Sequence, residues 1–525
     1  MNTSMSDRAP RRRRARRPAT PRATVLTALL GVLAASLLAV AASPTYAGGE
    51  SEPNPRPVVA THPALARASA VMTGSTAGDD EATLALRDLF RARPSLGPAE
   101  AEQAGRLLAR PTDGARDPYG DGYRVPSATL CSRVVCVHYA RRGEDAPPNR
   151  AWAQRVLNVM DQVWRHHVGR LGYRTPPSDG ARGGDGRFDV YLSELGDQGL
   201  YGYCAPERRL GRYPRRTTSF CVLDNDFARA QFGRAPMDTL RVTAAHEFFH
   251  AIQFGYDYQE DPWFLESTAT WMEERFADDV NDNRIYLRYG QMTRPNLPLD
   301  LFDAAGYAHY GNWTFWEYLT RRYGDGLVRR VLQRIGTGGG APNEYSVQAL
   351  DHVLSRKGGL AKNYAAFAAG NLVPAKTYRE GARMPTAPVV GGVKLHRDRP
   401  AARRATRVRH LASKSYLVRP DKSFRSRSWK LLVDVDGPAA ASSPAVRVGV
   451  VRADGSVGQR AVRLDARGDG RLVVGFGRSR IKYVTITLAN VSTRYTCLRG
   501  TTYACQGNPR DDNRRFVVGV RAFRR

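Results

Sequence analysis

The sequence predicts an α+β chain: strands first, then a group of helices, then a run of short strands that reads as a β-sandwich. Three observations predict it. Short β-branched and aromatic runs occur between about residues 133 and 223. Apolar residues then recur at helical spacing from about 237 to 370. Beyond about 388, short β-branched runs are parted by glycine, aspartate and serine.

Taken in order, residues 1–47 read as an export signal. A cluster of arginines (Arg11 to Arg14, Arg16, Arg17) precedes an uncharged, mostly apolar run over 25–42, and Thr45 and Ala47 stand where a cleavage site needs small side chains. A retained anchor is the alternative, because such a run lies at the lower edge of what spans a bilayer; nothing else in the chain is long and apolar enough. Residues 48–122 form the next division. It opens as a Pro/Ser/Ala/Thr-rich linker to about 75, and over 81–108 two short amphipathic helices are separated by Pro94, Gly97 and Pro98. This small helical segment is either a propeptide or a permanent arm.

Residues 123–385 form the main domain. Strands are expected over 133–139, 188–192 and 219–223, with a helix over 151–168 that packs Val156, Val159, Met160 and Val163 on the sheet. Asp185 and Asp189, around the turn GGDGR, lack the alternating oxygen ligands of a calcium loop and read as an ordinary turn. Helices follow over 237–254, from Pro262 to about 277, and over 313–322, 326–335, 347–354 and 362–369. Residues 386–525 form the expected β-sandwich, with strands over 446–451, 462–464, 471–474, 481–488, 495–503 and 516–522.

The six cysteines fall into three close pairs, Cys131 with Cys136, Cys204 with Cys221, and Cys497 with Cys505. After an export signal an even count favours disulfides, and no pair has the C-x-x-C spacing of a thiolate zinc site. The formal charge is +30, and without residues 1–47 it is +23, from 72 basic and 49 acidic residues. A chain this basic is drawn to anionic cell-wall polymers, anionic lipid or acidic substrates, so an anionic cell-wall polymer is one candidate partner. Much of the arginine is scattered among alanine and glycine, however, and the charge says little about function. With no zinc finger, no helix-turn-helix spacing and no aromatic-basic alternation, nucleic acid is not an expected partner.

The sharpest motif is His246-Glu247-Phe248-Phe249-His250. Positions i and i+4 share one helix face, so the two imidazoles can direct nitrogens at one metal ion, and Glu247 lies close enough to act on a water beside it. Chance delivers this pattern roughly once in a hundred chains of such composition. Zinc takes a third protein ligand in catalytic sites. A histidine six residues on is excluded, since that position is Tyr256. The remaining choices are Asp257, Glu260, Asp261, Glu266, Glu273 and Glu274. Glu266 is preferred, because Pro262 starts a second helix whose first turns can lie against the motif helix. Thr270 and Glu273 share its face and could orient a ligating imidazole. An oxyanion also needs a donor. The run Tyr307-Ala-His-Tyr-Gly-Asn offers Tyr307, His309 and Tyr310, of which Tyr310 is preferred. His138, in a strand beside Cys136, reads as structural.

HEFFH, then WFLESTATWMEE and YGNWTFWEYLTRRYG, resemble the glutamate-zinc superfamily of metallopeptidases that includes thermolysin-like enzymes and the basic aminopeptidases. VVCVHY, RFDVYLSEL, GLYGYC and HEFFHAIQFGYD resemble more closely a family of secreted metalloproteases of actinobacteria and myxobacteria. The resemblance covers roughly 124–375. It implies a zincin-like catalytic domain with a mixed sheet and active-site helices, Zn2+ held by His246, His250 and Glu266, Glu247 as general base, and a tyrosine resembling Tyr310 or Tyr307 on the oxyanion. Two departures stand out. Fifteen residues separate His250 from Glu266, fewer than in the best-known branches. The aspartate that braces a zinc histidine in thermolysin-like enzymes, four residues after the ligand, is Thr270 here. No segment resembles the aminopeptidases' grip on a free N-terminus.

The expectation is therefore a secreted, zinc-dependent endopeptidase acting on protein or peptide through a zinc-activated water. The alternatives are an extracellular surface-binding protein that retains zinc or is inactive, and a hydrolase of a non-peptide amide or ester.

Overall fold

A five-stranded mixed sheet organises the first half of the chain, seen in a computed structural model whose described residues are 61–75, 81–116, 122–337 and 342–524. The expected export signal lies outside them. The strands are β1 (Ser127–Cys131), β2 (Val135–Ala140), β3 (Phe188–Ser193), β4 (Gly202–Leu210) and β5 (Tyr213–Asp224), in the spatial order β1-β2-β3-β5-β4. The central pairs β2–β3 and β3–β5 run parallel, with Val137 opposite Val190 and Val190 opposite Cys221. Both outer strands are antiparallel to their neighbours.

Side chains on a strand alternate between faces, and this alternation divides the core. Val190, Leu192, Cys221 and Leu223 face one way, into a cluster with the helix Arg150–Trp164 and the helix Pro236–Asp257. Tyr191, Phe220 and Val222 face the other way, where three N-terminal helices, Pro63–Met72, Ala82–Ala92 and Pro98–Leu107, cover the sheet. The first of these corrects the expectation of a linker to about 75. His62 caps it by accepting from the Ala64 N–H at 3.2 Å, Pro63 sits in its first turn, and Leu65, Ala68, Val71 and Met72 are buried along one face. The helix expected to reach 168 ends at Trp164 and continues as a π-helical turn, Arg165–Arg170.

The remaining strands build a five-stranded sheet, a four-stranded sheet and a two-stranded ribbon. They are β6 (Gly391–Leu395), β7 (Ala401–Val408), β8 (Ala412–Pro420), β9 (Trp429–Asp436), β10 (Pro444–Arg452), β11 (Val457–Val462), β12 (Asp469–Gly475), β13 (Ile481–Asn490), the two-residue β14 (Tyr495–Thr496) and β15 (Asn508–Pro509) of the ribbon, and β16 (Arg514–Arg524). One sheet has the order β11-β10-β13-β8-β6, the other β12-β9-β16-β7, and Val448, Ile486, Val433 and Val518 from both share one apolar cluster. Two expectations shift here. The strand placed at 462–464 is β11, which ends at Val462, so that Leu464 makes only an isolated bridge. Of 495–503 only Tyr495–Thr496 is strand, because the Cys497–Cys505 disulfide closes the rest into a turn. The other disulfides are Cys131–Cys136 and Cys204–Cys221, the neighbour pairing that the spacing favours. Among the described residues no helix is long and apolar enough to cross a membrane.

The described residues form one compact unit. The terminal sheets are tied to the helices by buried polar contacts. Asp300 takes hydrogen bonds from Tyr495 Oη (2.7 Å) and the Ala504 N–H (3.0 Å) and pairs with His410 (3.1 Å), while Asp261 takes the Cys505 N–H at 2.6 Å.

Candidate metal centre

The helix Pro236–Asp257 is buried on almost every side from Thr239 onward, as expected of a helix packed between a sheet and other helices. Phe248 and Phe249 go into the core, which leaves His246, Glu247 and His250 for the opposite side. After a short turn, Pro262 opens the helix Pro262–Phe276, which returns along the first helix and brings Glu266 to the two histidines. One ligand atom from each of His246, His250 and Glu266 lies within 4.8 Å of the others. Glu266 Oε2 is 3.2 Å from His246 Nε2 and 3.5 Å from His250 Nε2, and Glu266 is 1 % exposed.

The second ring nitrogens are committed elsewhere. His246 Nδ1 meets Glu273 Oε1 at 2.7 Å. His250 Nδ1 meets Gln253 Oε1 at 2.8 Å, and the Gln253 amide is oriented by donating to the Leu265 carbonyl and Thr268 Oγ1, both at 2.9 Å. Acceptors on both Nδ1 atoms place the protons there. Each Nε2 lone pair is then turned toward the Glu266 carboxylate, whose Oε1 has no hydrogen-bond partner. Lone pairs converging on an anion in a buried site require positive charge between them, from protons or a cation. The donor set of two imidazole nitrogens and one carboxylate fits a zinc-type ion.

The electrostatics agree. Burial would lower both histidines, but Glu266, with Glu273 at His246, outweighs it and raises both above the ordinary value. Burial would raise Glu266, but His250 and His246 hold it well below the usual carboxylate range. Burial pushes Glu273 up to about 7 and raises Glu247, although the histidines oppose it.

Glu247 lines a small cavity of about 70 Å³ with His246, Glu273, Asp282, Tyr286 and Tyr310. The Tyr310 ring lies 5.9 Å from that of His246 and stacks on Tyr286 at 4.7 Å. Tyr307 is held at φ +51°, in the left-handed region that a tyrosine seldom adopts, and turns the chain just before Tyr310. Gly290 and Gly311 let the two tyrosine-bearing turns touch, since a Cβ on Gly290 would stand 2.3 Å from the Gly311 carbonyl carbon.

The other candidates lie apart from this centre. His309 is fully buried, with Nε2 2.7 Å from Glu81 Oε1. Thr270 bonds the Glu266 carbonyl (2.9 Å) rather than an imidazole. Asp257 pairs with Arg215, Glu260 with the Ser346 N–H, and Glu274 with Asn283. His138 joins Asp189 at 2.7 Å, and Asp189 also takes Arg110 at 2.6 Å. Asp185 pairs with Arg187. Two further groups of metal-ligand type occur among the described residues. Cys131 and Cys136 beside Asp185 are joined in a disulfide, and Asp278 and Glu380, beside Glu274, are held by Arg379 and Arg284. Sequence reasoning missed Gln253 as a partner of His250, and Thr83, whose hydroxyl donates to Glu247 Oε2 at 3.0 Å. Gln253 stood three residues after His250, within reach on a helix, but nothing marked Thr83.

No family model matches the chain, and no curated protein matches it. Solved structures with partial similarity include a periplasmic inhibitor of g-type lysozyme from Aeromonas hydrophila, at 12 % identity over 26 % of this chain and 97 % of that one, with a TM-score of 0.16. A surface-associated copper-binding protein of Methylomicrobium album BG8 is 10 % identical over 26 % of this chain and 99 % of that one, at 0.15. A family GH115 4-O-methyl-α-glucuronidase is 10 % identical over 55 % and 38 %, at 0.14. Likeness at this level carries no argument about the site.

Proposed function

We propose that the protein is a secreted zinc endopeptidase with a zincin-like catalytic domain over 123–385 and a β-sandwich over 386–525, related to the glutamate-zinc superfamily and, more closely, to the secreted metalloproteases of actinobacteria and myxobacteria. One observation carries the reading: His246, His250 and Glu266 converge with both Nδ1 atoms already committed to Glu273 and Gln253. The brace that Thr270 cannot supply comes from Glu273, one turn further along the same helix. The three disulfides suit an oxidising, extracellular setting.

Zinc, when bound, supplies Lewis acidity and makes a water acidic near neutral pH. The chain's own residues do the rest. Glu247, one residue after His246, takes the proton from the attacking water and returns it to the departing amine nitrogen. Burial keeps its pKa above that of an ordinary glutamate, which suits an acid–base role. Glu273 and Gln253 hold the imidazoles in one tautomer and orientation. Tyr310, on the wall of the same cavity, donates its hydroxyl to the oxyanion as the carbonyl becomes tetrahedral.

The partner is a protein or peptide substrate. Retention on an anionic cell-wall polymer is supported by a 590 Å³ pocket in the terminal sheets, rimmed by Arg427, Lys430, Arg452, Arg460 and Arg480 against one carboxylate, Asp454. Co-sedimentation with isolated walls should weaken as salt rises. The peptidase reading is tested by casein hydrolysis with processed protein. Treatment with 1,10-phenanthroline should abolish turnover and stoichiometric Zn2+ should restore it, whereas chelator-resistant hydrolysis would contradict a metal-dependent reaction.

A further inference from the structure

The N-terminal helix Ala82–Ala92 meets the site directly. Thr83 Oγ1 donates to Glu247 Oε2 at 3.0 Å and accepts the Cys204 N–H at 2.9 Å. Two residues earlier, Glu81 Oε1 lies 2.7 Å from Nε2 of His309, the neighbour of Tyr310. Glu81, Ala82 and Thr83 are 3 %, 1 % and 5 % exposed. Cys204 lies on β4, which among the described residues pairs only with β5 and is an edge of the sheet. An N–H on an open edge is what an extended peptide would bond, and here Thr83 takes it. Beside Glu247 the opening amounts to about 70 Å³, well below the roughly 300–1,000 Å³ of sites that enclose a ligand.

We propose that the segment around this helix is an intramolecular inhibitor. Thr83 ties up the base and an edge donor, and Glu81 engages the turn that carries Tyr310, so a peptide reaches Glu247 only after the helix leaves. The proposal rests on the peptidase reading and adds latency to it.

The way the helix is held says how it is released. Leu84 joins the cluster of the motif helix, and Leu86, Leu89 and Phe90 pack against the far face of the sheet, with Phe90 edge-on to Tyr258 at 5.6 Å. Arg87 donates to the Glu260 carbonyl at 3.1 Å. Burial of this extent does not open spontaneously at a useful rate, so release follows cutting of the chain. Arg110 limits how far the released piece extends. Its guanidinium, 3 % exposed, pairs with Asp179, with Asp189 at 2.6 Å and with Glu207 at 2.6 Å. Its loss would strand three buried carboxylates. The cut therefore falls between Ala92 and Arg110, where Arg93, Pro94, Ser95 and Gly97 are exposed.

The test uses the zinc-loaded full chain and a variant whose residues 93–97 are replaced by the recognition sequence of a specific protease. Binding of a dipeptide hydroxamate is measured by calorimetry, beside casein hydrolysis and zinc content. Cutting and removing the N-terminal piece should tighten hydroxamate binding at least tenfold and raise hydrolysis by a similar factor. In the cut chain, Thr83→Ala and Glu81→Gln should each speed dissociation of the N-terminal piece several-fold with zinc content unchanged, and thermal melting of the uncut chains shows that these variants are folded. N-terminal sequencing of the naturally activated form should start between 93 and 110. Hydroxamate affinity and hydrolysis that are equal in cut and uncut protein, both holding one zinc, would overturn the inhibitor while leaving the peptidase. Absence of zinc from every form would remove the peptidase reading and the inhibitor with it.

Discussion

His246 and His250 each use their two ring nitrogens differently, one toward Glu266 and one toward an acceptor that fixes the ring. If those acceptors set tautomer and orientation, Glu273→Ala should lower zinc affinity about 10–100-fold. Competition against a calibrated chelator checks this, and an affinity within twofold of wild type would show that Glu273 does not orient His246. At this scale the sequence was most informative. A helix repeats every 3.6 residues, so the spacing of His246 and His250 carries their geometry, and Pro262 marks where the next helix starts. Glu266 was legible because Pro262 starts a helix whose first turns can lie against the motif helix, and Glu273 was legible only as one of two residues, with Thr270, on the same face. Gln253 was harder, because its role depends on an amide oriented by Leu265 and Thr268, which only the folded packing supplies. Thr83 was out of reach, since 164 residues separate it from Glu247 and no local pattern encodes such a contact.

Helices such as Arg150–Trp164 and Gly326–Ile335 were readable from one periodic apolar face. The two that carry the candidate site, buried on almost every side, were readable from their apolar length and Pro262, and the central strands because both their faces are buried. The edge strands β1, β4, β6 and β7 were not, and neither were the interior strands β8 and β9. β4 carries Pro206, and the ladder with β5 shifts register just there, between Pro206 and Arg208, which is where an edge strand tolerates a proline. β7 reads AARRATRV, with Arg403, Arg404 and Arg407 exposed on the open edge of its sheet. Charge on an edge discourages pairing with other chains, and it also hides the strand from a search for β-branched runs. The helix Pro63–Met72 was not expected because its four alanines and its proline resemble linker composition. Between elements, the contact of Gly290 with Gly311 joins the turn holding Tyr286 to the turn holding Tyr310. Gly311→Ala should force them apart. It should cost about 1–3 kcal/mol of stability and lower kcat while zinc stays at one per chain, as read by chemical denaturation, steady-state kinetics and metal content. Unchanged kcat would show that the stacked tyrosines do not act on the reaction.

Across the whole molecule, the terminal sheets are docked beside the loop that leads to the tyrosines. His410 is at the centre, 1 % exposed at its side chain, between Asp300 and Asp512, with Tyr495 and Tyr503 packed against its ring. Burial would lower its pKa, but Asp300 and Asp512 raise it to about 9. A histidine raised in the folded state stabilises it fully below its unfolded value of about 6.5 and ceases to do so as pH rises through about 9. Stability should therefore fall over that window in wild type. In His410→Gln, which leaves Asp300 buried without its counter-charge, stability should be lower by about 3–5 kcal/mol at neutral pH, and the alkaline fall should be smaller. Urea titrations from pH 6 to 10 read both effects, and equal slopes in the two proteins would rule out His410 as the alkaline sensor. This linkage was invisible in the sequence, where His410 stands among arginines with Asp300 in a distant loop.

His246, His250 and Glu266 are proposed to hold a zinc ion beside which Glu247 takes the proton of the attacking water. The most direct measurement is zinc per chain alongside casein hydrolysis, made on the processed protein and on Glu247→Gln. The account predicts one zinc in both, with turnover reduced by about 10²–10⁴-fold in the variant. Zinc absent from the wild type, or hydrolysis undiminished in Glu247→Gln, would contradict it.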